Sequence, residues 1–523
     1  MKTFLLVYPE TPDTYWSYRY ALPFIGKRAL MPPLGLATIA AMIPDGHQLR
    51  IVDLNVERLR DGEIAAADLV LASAMIVQRR SLERLIARCN RIGTPVAVGG
   101  PYATSCPEAL PGADHLVLGE GEVSFPPFLH DFLNGGAHRR YECDTRPEMD
   151  QSPVPRFDLL PMQWYDSLPL QFSRGCPFDC EFCDIVQLFG HRPRVKSPAQ
   201  FLCELDAAYR TGFTGSLFIV DDNFIGNRRG VKALLAEIGR WQREHGYPYQ
   251  LCTEASIDLA EDSDLLDLMV AAGFVMVFVG IETPVADSLH AVGKNQNLRR
   301  DVAESVRTIQ ERGIEVTGGF IIGFDSDPPE IFDLQIEFIQ ELAIPTAMVG
   351  LLMALPNTAL YHRLEREGRI RSQANGNNTH STLVNFEPVL PMDVLETGYR
   401  RVLQNIYRPR NYFARCLELL KRSPRRGEGP PRSAPPFRLR EMVGLVQSLL
   451  RQTFSRYGLS YLAYLIRGIS IRPDLFARVV TRAVIGHHYF MMTRKTVRRF
   501  AGNRVRNPVQ SNADRDTIAA YTV

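Results

Sequence analysis

Short apolar runs alternate with amphipathic stretches along the first 145 residues of the chain. Each apolar run has the length of a buried strand, and the stretches between them repeat apolar positions at helical spacing. Because strand–helix alternation builds parallel sheets with helices on both faces, it predicts a doubly wound, Rossmann- or flavodoxin-like α/β domain over residues 1–145. The predicted strands are 3–9, 48–55, 67–75, 94–101 and 114–122.

A second alternation runs from residue 166 to residue 395, after an irregular, proline-containing linker at 146–165. Its six strand–helix units, taken in order, predict a partial (β/α)6 barrel. Functional residues of such sheets lie at the carboxyl ends of the strands, where this sequence places polar or glycine-rich segments. The predicted strands are 168–174, 216–222, 249–256, 275–282, 316–324 and 346–355, and the helices between them include 198–210, 229–244 and 298–312.

The C-terminal region, residues 396–523, is predicted to be mostly helical, with a flexible proline-rich linker at 423–438. From Lys421 to Val523 the chain carries 20 Lys and Arg residues against 5 Asp and Glu, whereas the rest has an acidic excess. Such a basic region indicates an anionic partner, either the acidic body of the protein or lipid headgroups. It contains no RNA-binding signature, so no nucleic acid is expected as a partner.

Length and composition indicate a globular protein of several domains. The 523 residues exceed one ordinary core, and 45% are hydrophobic and 23% charged. There is no apolar run of about 18 residues, and the short run near the N-terminus resembles a strand more than a signal peptide. Nine cysteines in a chain of this length do not form a disulfide framework, so a reducing, cytoplasmic location is expected.

Three of the nine cysteines lie together directly after the first strand of the predicted barrel. Cys176, Cys180 and Cys183 have the spacing C-x3-C-x2-C, and thiolates are preferred ligands of iron–sulfur clusters and of zinc. Three thiolates on one loop can bind three irons of a 4Fe–4S cube and leave the fourth iron open for chemistry. The alternative is a structural zinc site, with His191 as the nearest fourth ligand in the sequence.

The cysteine loop, with Phe182 directly before its last cysteine, resembles the signature of radical S-adenosylmethionine (SAM) enzymes. The resemblance implies that the open iron binds SAM, which the reduced cluster cleaves to a 5′-deoxyadenosyl radical. It also implies that Phe182 lies near the adenine and that strand ends supply further SAM contacts. The residues at those strand ends are Asp222, Asn223, Glu254, Glu282, Gly319 and Gly323. Taken singly, such carboxylates are also typical helix caps, and such glycines are typical of bulges.

The parallel-sheet domain ahead of this barrel resembles the cobalamin-binding domain of class B radical SAM enzymes. The residues that carry the resemblance, and that it implies bind cobalamin, are Ser73, Gly99, Gly100, Gly119 and Glu120. The motif D-x-H-x-x-G, which supplies a cobalt-binding histidine in other cobalamin domains, is absent, and residues 10–31 contain no histidine. The lower face of the corrinoid is therefore expected to meet water or Tyr15, Trp16 or Tyr18. A domain that binds a nucleotide, or no ligand, is the alternative.

Together these resemblances identify the chain as a member of the cobalamin-binding radical SAM family, with an additional C-terminal helical domain. They imply a 4Fe–4S cluster, SAM and cobalamin as cofactors, and an external electron donor. The implied function is cobalamin-dependent C-methylation of an unactivated carbon in a hydrophobic or lipid-like small molecule. Peripheral membrane contact through the basic C-terminal region is a further expectation. Two alternatives stay open from the sequence: a radical C–C bond formation, cyclisation or oxidation without methyl transfer, and a non-catalytic cobalamin-binding regulator.

Overall fold

The structure is a computed structural model that describes residues 1–143, 145–379, 384–425 and 439–505. Its N-terminal strands are β1 (Thr3–Tyr8), β2 (Gln48–Asp53), β3 (Leu69–Ser73), β4 (Val96–Gly99), β5 (His115–Val117) and β6 (Arg140–Tyr141). They form one parallel sheet in the order β2-β1-β3-β4-β5-β6. The helices of this part are α1 (Leu34–Ala41), α2 (Asp61–Ala65), α3 (Arg79–Ile92), α4 (Pro101–Ser105) and α5 (Gly121–Leu133).

Helices cover both faces of this sheet, because alternate residues of each strand point to opposite sides. Phe4 and Leu6 of β1 belong to a core that includes residues of α1 and α5, whereas Leu5 and Val7 pack in a second core with α3. The strand order reverses at β1, since β2 lies on one side of it and β3 on the other. Such a reversal opens a crevice at the carboxyl ends of the strands. The doubly wound sheet predicted from the sequence is confirmed.

The following strands are β7 (Ser167–Leu170), β8 (Ser173–Arg174), β9 (Arg194–Val195), β10 (Gly215–Ile219), β11 (Tyr249–Glu254), β12 (Phe274–Glu282), β13 (Glu315–Ile322) and β14 (Ala347–Leu351). Six of them form a parallel sheet in the order β7-β10-β11-β12-β13-β14, which is the predicted partial barrel, and β8 pairs antiparallel with β9. The helices here are α6 (Ile185–Phe189), α7 (Pro198–Arg210), α8 (Arg228–Glu244), α9 (Ser263–Ala272), α10 (Ala286–Ala291), α11 (Val302–Glu311), α12 (Ile331–Glu341) and α13 (Ala359–Arg366).

The strands expected at 216–222 and 346–355 end earlier in the structure, at Ile219 and Leu351, and two further predicted elements of the barrel differ from it. The single strand expected at 168–174 is divided into β7 and β8, because the buried carboxylate of Asp221 accepts hydrogen bonds from the Phe172 N–H and the Ser173 hydroxyl. These bonds turn the chain away from the sheet. The helix expected at 298–312 begins only at Val302, because the Asp301 side chain caps it by accepting the Glu304 N–H.

The C-terminal region is helical, as predicted, with α14 (Met392–Ile406), α15 (Pro409–Arg422), α16 (Leu439–Thr453), α17 (Gly458–Ile471) and α18 (Phe476–Val505). It packs on the barrel: the Tyr407 hydroxyl donates to the Ala347 carbonyl at 2.6 Å, and Arg482 forms an ion pair with Glu315. Of the predicted proline-rich linker at 423–438, only 423–425 lies within the described residues. Over the described ranges, no helix combines the length and the apolar character that crossing a bilayer requires.

Candidate active site

A cavity of about 1190 Å³ lies between the carboxyl ends of the two large sheets. Segments that follow β1, β3, β4 and β5 form one wall, and residues at the ends of β7, β10 and β11 form part of the other. All five residues predicted to bind cobalamin line it: Ser73, Gly99, Gly100, Gly119 and Glu120. Of the residues predicted to bind SAM, Asp222 and Glu254 line it as well. The cavity therefore joins the predicted cobalamin site to part of the predicted SAM site, whereas Cys176, Cys180 and Cys183 are not among the residues that line it.

Glycines let two strand ends of the N-terminal sheet approach each other on the cavity wall. Gly100 has a φ of +85°, and a Cβ atom there would lie 2.3 Å from Ser73 Oγ. A Cβ atom on Gly99 would lie 2.9 Å from the Val117 carbonyl oxygen. Both positions exclude larger side chains, so backbone atoms can come close to a ligand in the cavity.

A buried group of four charged residues joins the N-terminal domain to the barrel at the edge of the cavity. Glu120 accepts hydrogen bonds from Arg174 at 2.7 Å and from Arg194 at 2.6 Å, and Glu122 pairs with Arg174 at 2.8 Å. Burial acts to raise the pKa of Glu122, but Arg174 outweighs it and lowers that pKa to about 2. Both carboxylate oxygens of Glu120 thus bond to arginines of the barrel, and these bonds hold the N-terminal domain against the barrel.

The three clustered cysteines lie on the loop between β8 and α6, and each is partly buried. The Cys183 N–H donates to the Cys180 carbonyl at 3.0 Å, which closes a tight turn around the last two cysteines. Over the described ranges, no three His, Cys, Asp or Glu side chains converge as the ligands of a single metal ion do. Three thiolates that bind separate irons of a cube need not converge in that way.

Neighbouring segments support the cysteine loop from two sides. Gly175 has a φ of +98°, and a Cβ atom there would lie 2.8 Å from the Arg192 carbonyl oxygen. Gly293 has a φ of +72°, and its Cβ would lie 2.9 Å from the Asp179 carbonyl oxygen. The Glu181 N–H also donates to the Val292 carbonyl at 2.9 Å. The loop is therefore fixed by close backbone contacts, and those at Gly175 and Gly293 require glycine.

Two side chains from the segment after β12 reach the cysteine loop. The Gln296 Nε2 atom lies 3.7 Å from Cys180 Sγ, and Lys294 Nζ lies 2.8 Å from Glu282 Oε1. Burial acts to lower the pKa of Lys294, but Glu282 and the thiols of Cys180 and Cys183 raise it overall. Sequence reasoning found neither Lys294 nor Gln296, because no local motif marks a residue 116 positions beyond the cysteine it contacts.

Two carboxylates, Asp222 and Glu254, face the cavity from the barrel. Burial raises the pKa of Asp222 to about 7, although a hydrogen bond from the Gly175 N–H at 3.3 Å opposes this effect. Burial also raises the pKa of Glu254 to about 8, and the nearby charge of Asp222 adds to the rise. A cationic ligand would relieve this crowding of negative charge, so the pair suits a positively charged group.

Asn223 and Glu282 lie at strand ends, as predicted, but their side chains bond to protein groups. Asn223 Nδ2 donates to Ser256 Oγ at 3.1 Å, and Asn223 Oδ1 accepts the Ser256 N–H at 3.2 Å. Glu282 has a φ of +68° and pairs with Lys294. Both residues shape the ends of their strands and hold neighbouring segments in place.

Phe182, Gly319 and Gly323 lie deeper in the barrel. The Phe182 ring packs against Phe324, with 6.1 Å between ring centroids, which brings it next to Gly323 in the chain. Gly323 has a φ of +105°, and its N–H donates to Asp327 Oδ2 at 2.8 Å. Gly319 makes room for Phe278, whose ring would lie 2.7 Å from a Cβ atom at that position. Phe182 and Gly323 are thus brought together, and none of these three residues lines the cavity.

The aromatic loop at 10–31 is divided between the cavity and the C-terminal helices. Trp16 lines the cavity and its ring lies edge-on to Phe278, with 5.1 Å between centroids. Tyr15 is buried instead, and its hydroxyl lies 2.9 Å from Thr493 Oγ1 on α18. The Tyr18 hydroxyl bonds with Tyr489 at 3.1 Å. Of the three aromatic residues proposed for the lower face of cobalamin, Trp16 is the one on the cavity wall.

Models of three protein families match successive parts of the chain: the B12 binding domain at 28–129, the radical SAM superfamily at 170–339, and a domain of unknown function at 358–501. An uncharacterized methyltransferase of Synechocystis sp. is 41% identical, covering 96% of this chain and 94% of its own length. The hopanoid C-2 methylase of Rhodopseudomonas palustris is 33% identical and covers 94% of both. This chain belongs to the cobalamin-dependent radical SAM methyltransferase family.

The fold of this methyltransferase also matches a solved member of the family. The radical SAM methyltransferase TsrM from Kitasatospora setae, with cobalamin and a 4Fe–4S cluster bound, superposes with a TM-score of 0.59 at 16% identity. The match covers 90% of this chain and 99% of TsrM. The match to TsrM confirms the fold. The family models for the B12 binding domain and the radical SAM superfamily give the enzyme its cofactors, a 4Fe–4S cluster, SAM and cobalamin, as the resemblances in the sequence implied.

The residues present fit these cofactors of the methyltransferase. Three thiols on one supported loop provide the soft ligands that an iron–sulfur cluster requires. Asp222 and Glu254 offer negative charge to SAM, which is a cation, and the glycine-lined wall offers close backbone approach to a bulky corrinoid. Which residue binds which cofactor stays a prediction, and the wall at Gly100 gives a direct test of it.

We expect Gly100→Ala to weaken binding of hydroxocobalamin by about tenfold or more. Alanine would collide with Ser73. It would also need a left-handed backbone conformation, which costs residues other than glycine roughly 1–3 kcal/mol. Equilibrium dialysis of the folded variant, monitored by corrinoid absorbance, measures the change. Gly136→Ala is the matched control, because nothing lies within 4 Å of its Cβ position. Equal affinities of both variants would remove Gly100 from the corrinoid site.

Proposed function

We propose that this methyltransferase transfers a methyl group to an unactivated carbon of a hydrophobic, lipid-like small molecule. The observation that carries the proposal is the single cavity, which has room for a bulky ligand and is lined in part by large apolar side chains. These are Leu22, Met31, Leu36, Ile39, Phe125 and Phe189. Burial of a hydrophobic substrate against them contributes about 25 cal/mol per Å². The name of the Rhodopseudomonas palustris relative supports a hopanoid as the first substrate to test.

The proposal assigns a role to each group of residues. Cys176, Cys180 and Cys183 hold the cluster, and Asp222 and Glu254 orient SAM. When bound, the cluster supplies the electron that opens SAM, and cobalamin supplies the methyl group. The protein fixes all participants around one cavity and excludes water from them. The remaining predicted residues belong to the SAM side (Phe182, Asn223, Glu282, Gly319, Gly323) or to the cobalamin side (Ser73, Gly99, Gly100, Gly119, Glu120).

The proposal keeps the division of the chain that the sequence suggested, with a cobalamin-binding part at 1–145, a linker at 146–165, a radical SAM core at 166–395 and a helical region beyond. It includes an external electron donor and a cytoplasmic location, which is supported by nine cysteines that are all free thiols. It also includes peripheral contact of the C-terminal region with a membrane.

The test is a labelled methyl transfer. We expect the anaerobically reconstituted full chain, supplied with hydroxocobalamin, dithionite and SAM carrying a deuterated methyl group, to produce a hopanoid with the deuterated methyl group, detected by mass spectrometry. A linear fatty acid serves as the lipid control. If hopanoid triggers 5′-deoxyadenosine formation without labelled product, methyl transfer to this substrate is wrong. If hopanoid changes neither product, the lipid-like substrate class is wrong.

A further inference from the structure

Exposed apolar side chains are concentrated in one helical hairpin of the C-terminal region. Eighteen large apolar residues are exposed among those the structure describes, and nine of them lie between Met442 and Ile471. We call this segment, formed by α16, a short connection and α17, the apolar hairpin. Phe454 and Leu459, at its tip, are each 87% exposed. Such a concentration of exposed apolar side chains on a protein surface indicates a binding site for an apolar partner.

Helix α16 of the apolar hairpin has the opposite amphipathicity to an ordinary surface helix. The outer face of α16 carries Met442, Val446 and Leu450, which follow each other at four-residue spacing and are all more than half exposed. Its inner face carries Ser448 and Gln452, which are fully buried. A water-exposed helix turns its polar residues outward, so the outer face of α16 is built for a surrounding other than water.

Hydrogen bonds stabilise the inner face and keep the apolar face outward. The Ser448 and Tyr461 hydroxyls bond across the hairpin at 2.9 Å, and Gln452 Nε2 donates to Ser448 Oγ at 2.8 Å. Tyr457 donates to Gln452 Oε1 at 3.3 Å. Rotation of α16 to bury its apolar residues would take Ser448 away from the buried Tyr461 hydroxyl and leave that hydroxyl unpaired, which would destabilise the fold. The exposed apolar face is therefore part of the fold.

The charges of the apolar hairpin indicate which partner it meets. The apolar hairpin contains one acidic residue, Glu441, and four arginines, Arg440, Arg451, Arg456 and Arg467. Arg451, Arg456 and Arg467 are exposed. Anionic lipid headgroups attract such residues, and the acyl layer accepts large apolar side chains.

We propose that the apolar hairpin docks the enzyme on the surface of an anionic lipid bilayer, with Phe454 and Leu459 inserted below the headgroups. This deepens the proposed function and rests on it, because it gives a membrane source to a lipid-like substrate. The hairpin lies beside the cavity wall: a Cβ atom on Gly444 would lie 3.4 Å from Ile25 of the 22–25 turn. Leu22 and Pro23 of the same turn line the cavity. The docked face and the cavity are thus separated by one short segment.

Flotation of the full-length enzyme with vesicles tests the docking surface without any turnover. We expect the enzyme to float with vesicles of phosphatidylcholine and phosphatidylglycerol, and less with phosphatidylcholine alone. The triple variant Leu450→Ser/Phe454→Ser/Leu459→Ser is expected to lose binding to the anionic vesicles by about tenfold or more, since three inserted side chains are removed. Leu334→Ser/Val389→Ser/Val394→Ser is the matched control, because it removes three exposed apolar residues elsewhere. Arg456→Ser/Arg467→Ser is expected to reduce only the preference for anionic vesicles.

Two flotation results would contradict the docking surface: no flotation of the wild-type enzyme, or equal flotation of both triple variants. A third contradicting result would be a wild-type enzyme that forms a dimer and binds no vesicles, and that becomes a monomer when the hairpin residues are substituted. The last would assign the hairpin to pairing with a second copy. Circular dichroism and cobalamin binding verify that each variant is folded. Failure here is separable from failure of the proposed function. An enzyme that methylates hopanoid in detergent but does not float retains its substrate class, whereas one that floats but methylates nothing retains its docking surface.

Discussion

Replacement of Cys176, Cys180 or Cys183 by alanine is expected to abolish 5′-deoxyadenosine formation and to remove the iron–sulfur absorbance of the reconstituted enzyme. Each thiolate is proposed to bind a different iron, so the loss of one leaves a corner of the cube without its ligand. Iron analysis, visible spectroscopy and mass spectrometry of the products measure the effect.

Cys203→Ala is the matched control for the cysteine variants, because Cys203 is exposed on α7 and lies outside the loop. It is expected to retain iron and deoxyadenosine formation. His191→Ala separates the cluster from the zinc alternative. The His191 side chain is exposed, and its loss is expected to change neither iron nor activity. Purified wild-type protein that takes up one zinc ion and no iron, and loses the zinc in His191→Ala, would show that the cluster assignment is wrong.

Glu120→Ala is expected to lower the free energy of unfolding by about 3–5 kcal/mol, which is the usual cost of removing one partner from a buried ion pair. The substitution leaves Arg194, whose side chain is 5% exposed, without its carboxylate, and it removes one of the two carboxylates of Arg174. Urea unfolding of the cobalamin-free protein gives the change. We also expect weaker cobalamin retention, because the two domains form the cavity together.

An exposed glutamate provides the comparison for Glu120. Glu108→Ala removes a side chain that is 93% exposed and 3.5 Å from Arg140, so it is expected to change the free energy of unfolding by no more than about 0.5 kcal/mol. Glu120→Gln, which keeps the shape and part of the hydrogen bonding, is expected to lie between the two. If Glu120→Ala is as stable as Glu108→Ala, then the charged group does not hold the domains together.

Most strands could be predicted because each is a continuous apolar run bounded by turn residues, and β1 and β12 follow the predicted limits closely. The parallel direction of the strands also follows from the alternation, since parallel strands need helical crossovers. The division of 168–174 into β7 and β8 could not be predicted. It depends on the Asp221 carboxylate, which accepts a hydrogen bond from the N–H of Phe172, 49 positions away in the sequence. Periodicity describes local preference and contains no information on such a long-range bond.

The same limit applies to the candidate site. The cysteine spacing and the glycines at strand ends are local patterns, so they could be recognised in the sequence. Glu120 illustrates what could not be: the resemblance implied a place for it at the cobalamin site, and it lines the cavity, but the arginines that bind its carboxylate come 54 and 74 positions later. Gln296 was missed for the same reason, because the cysteine that it contacts lies 116 positions earlier. Contacts between residues far apart in the sequence can be identified only when the fold is known.

The bond between Tyr15 and Thr493 joins residues 478 positions apart. At roughly 5–20 residues per second, a ribosome needs on the order of a minute to synthesise the intervening chain. The first sheet has all its strands long before that, but the loop at 10–31 lacks its packing partners on α18 until synthesis is nearly finished. We therefore expect the cavity to close as one of the last events of folding, after an interval in which the nascent chain leaves its cobalamin-binding wall open to the cofactor.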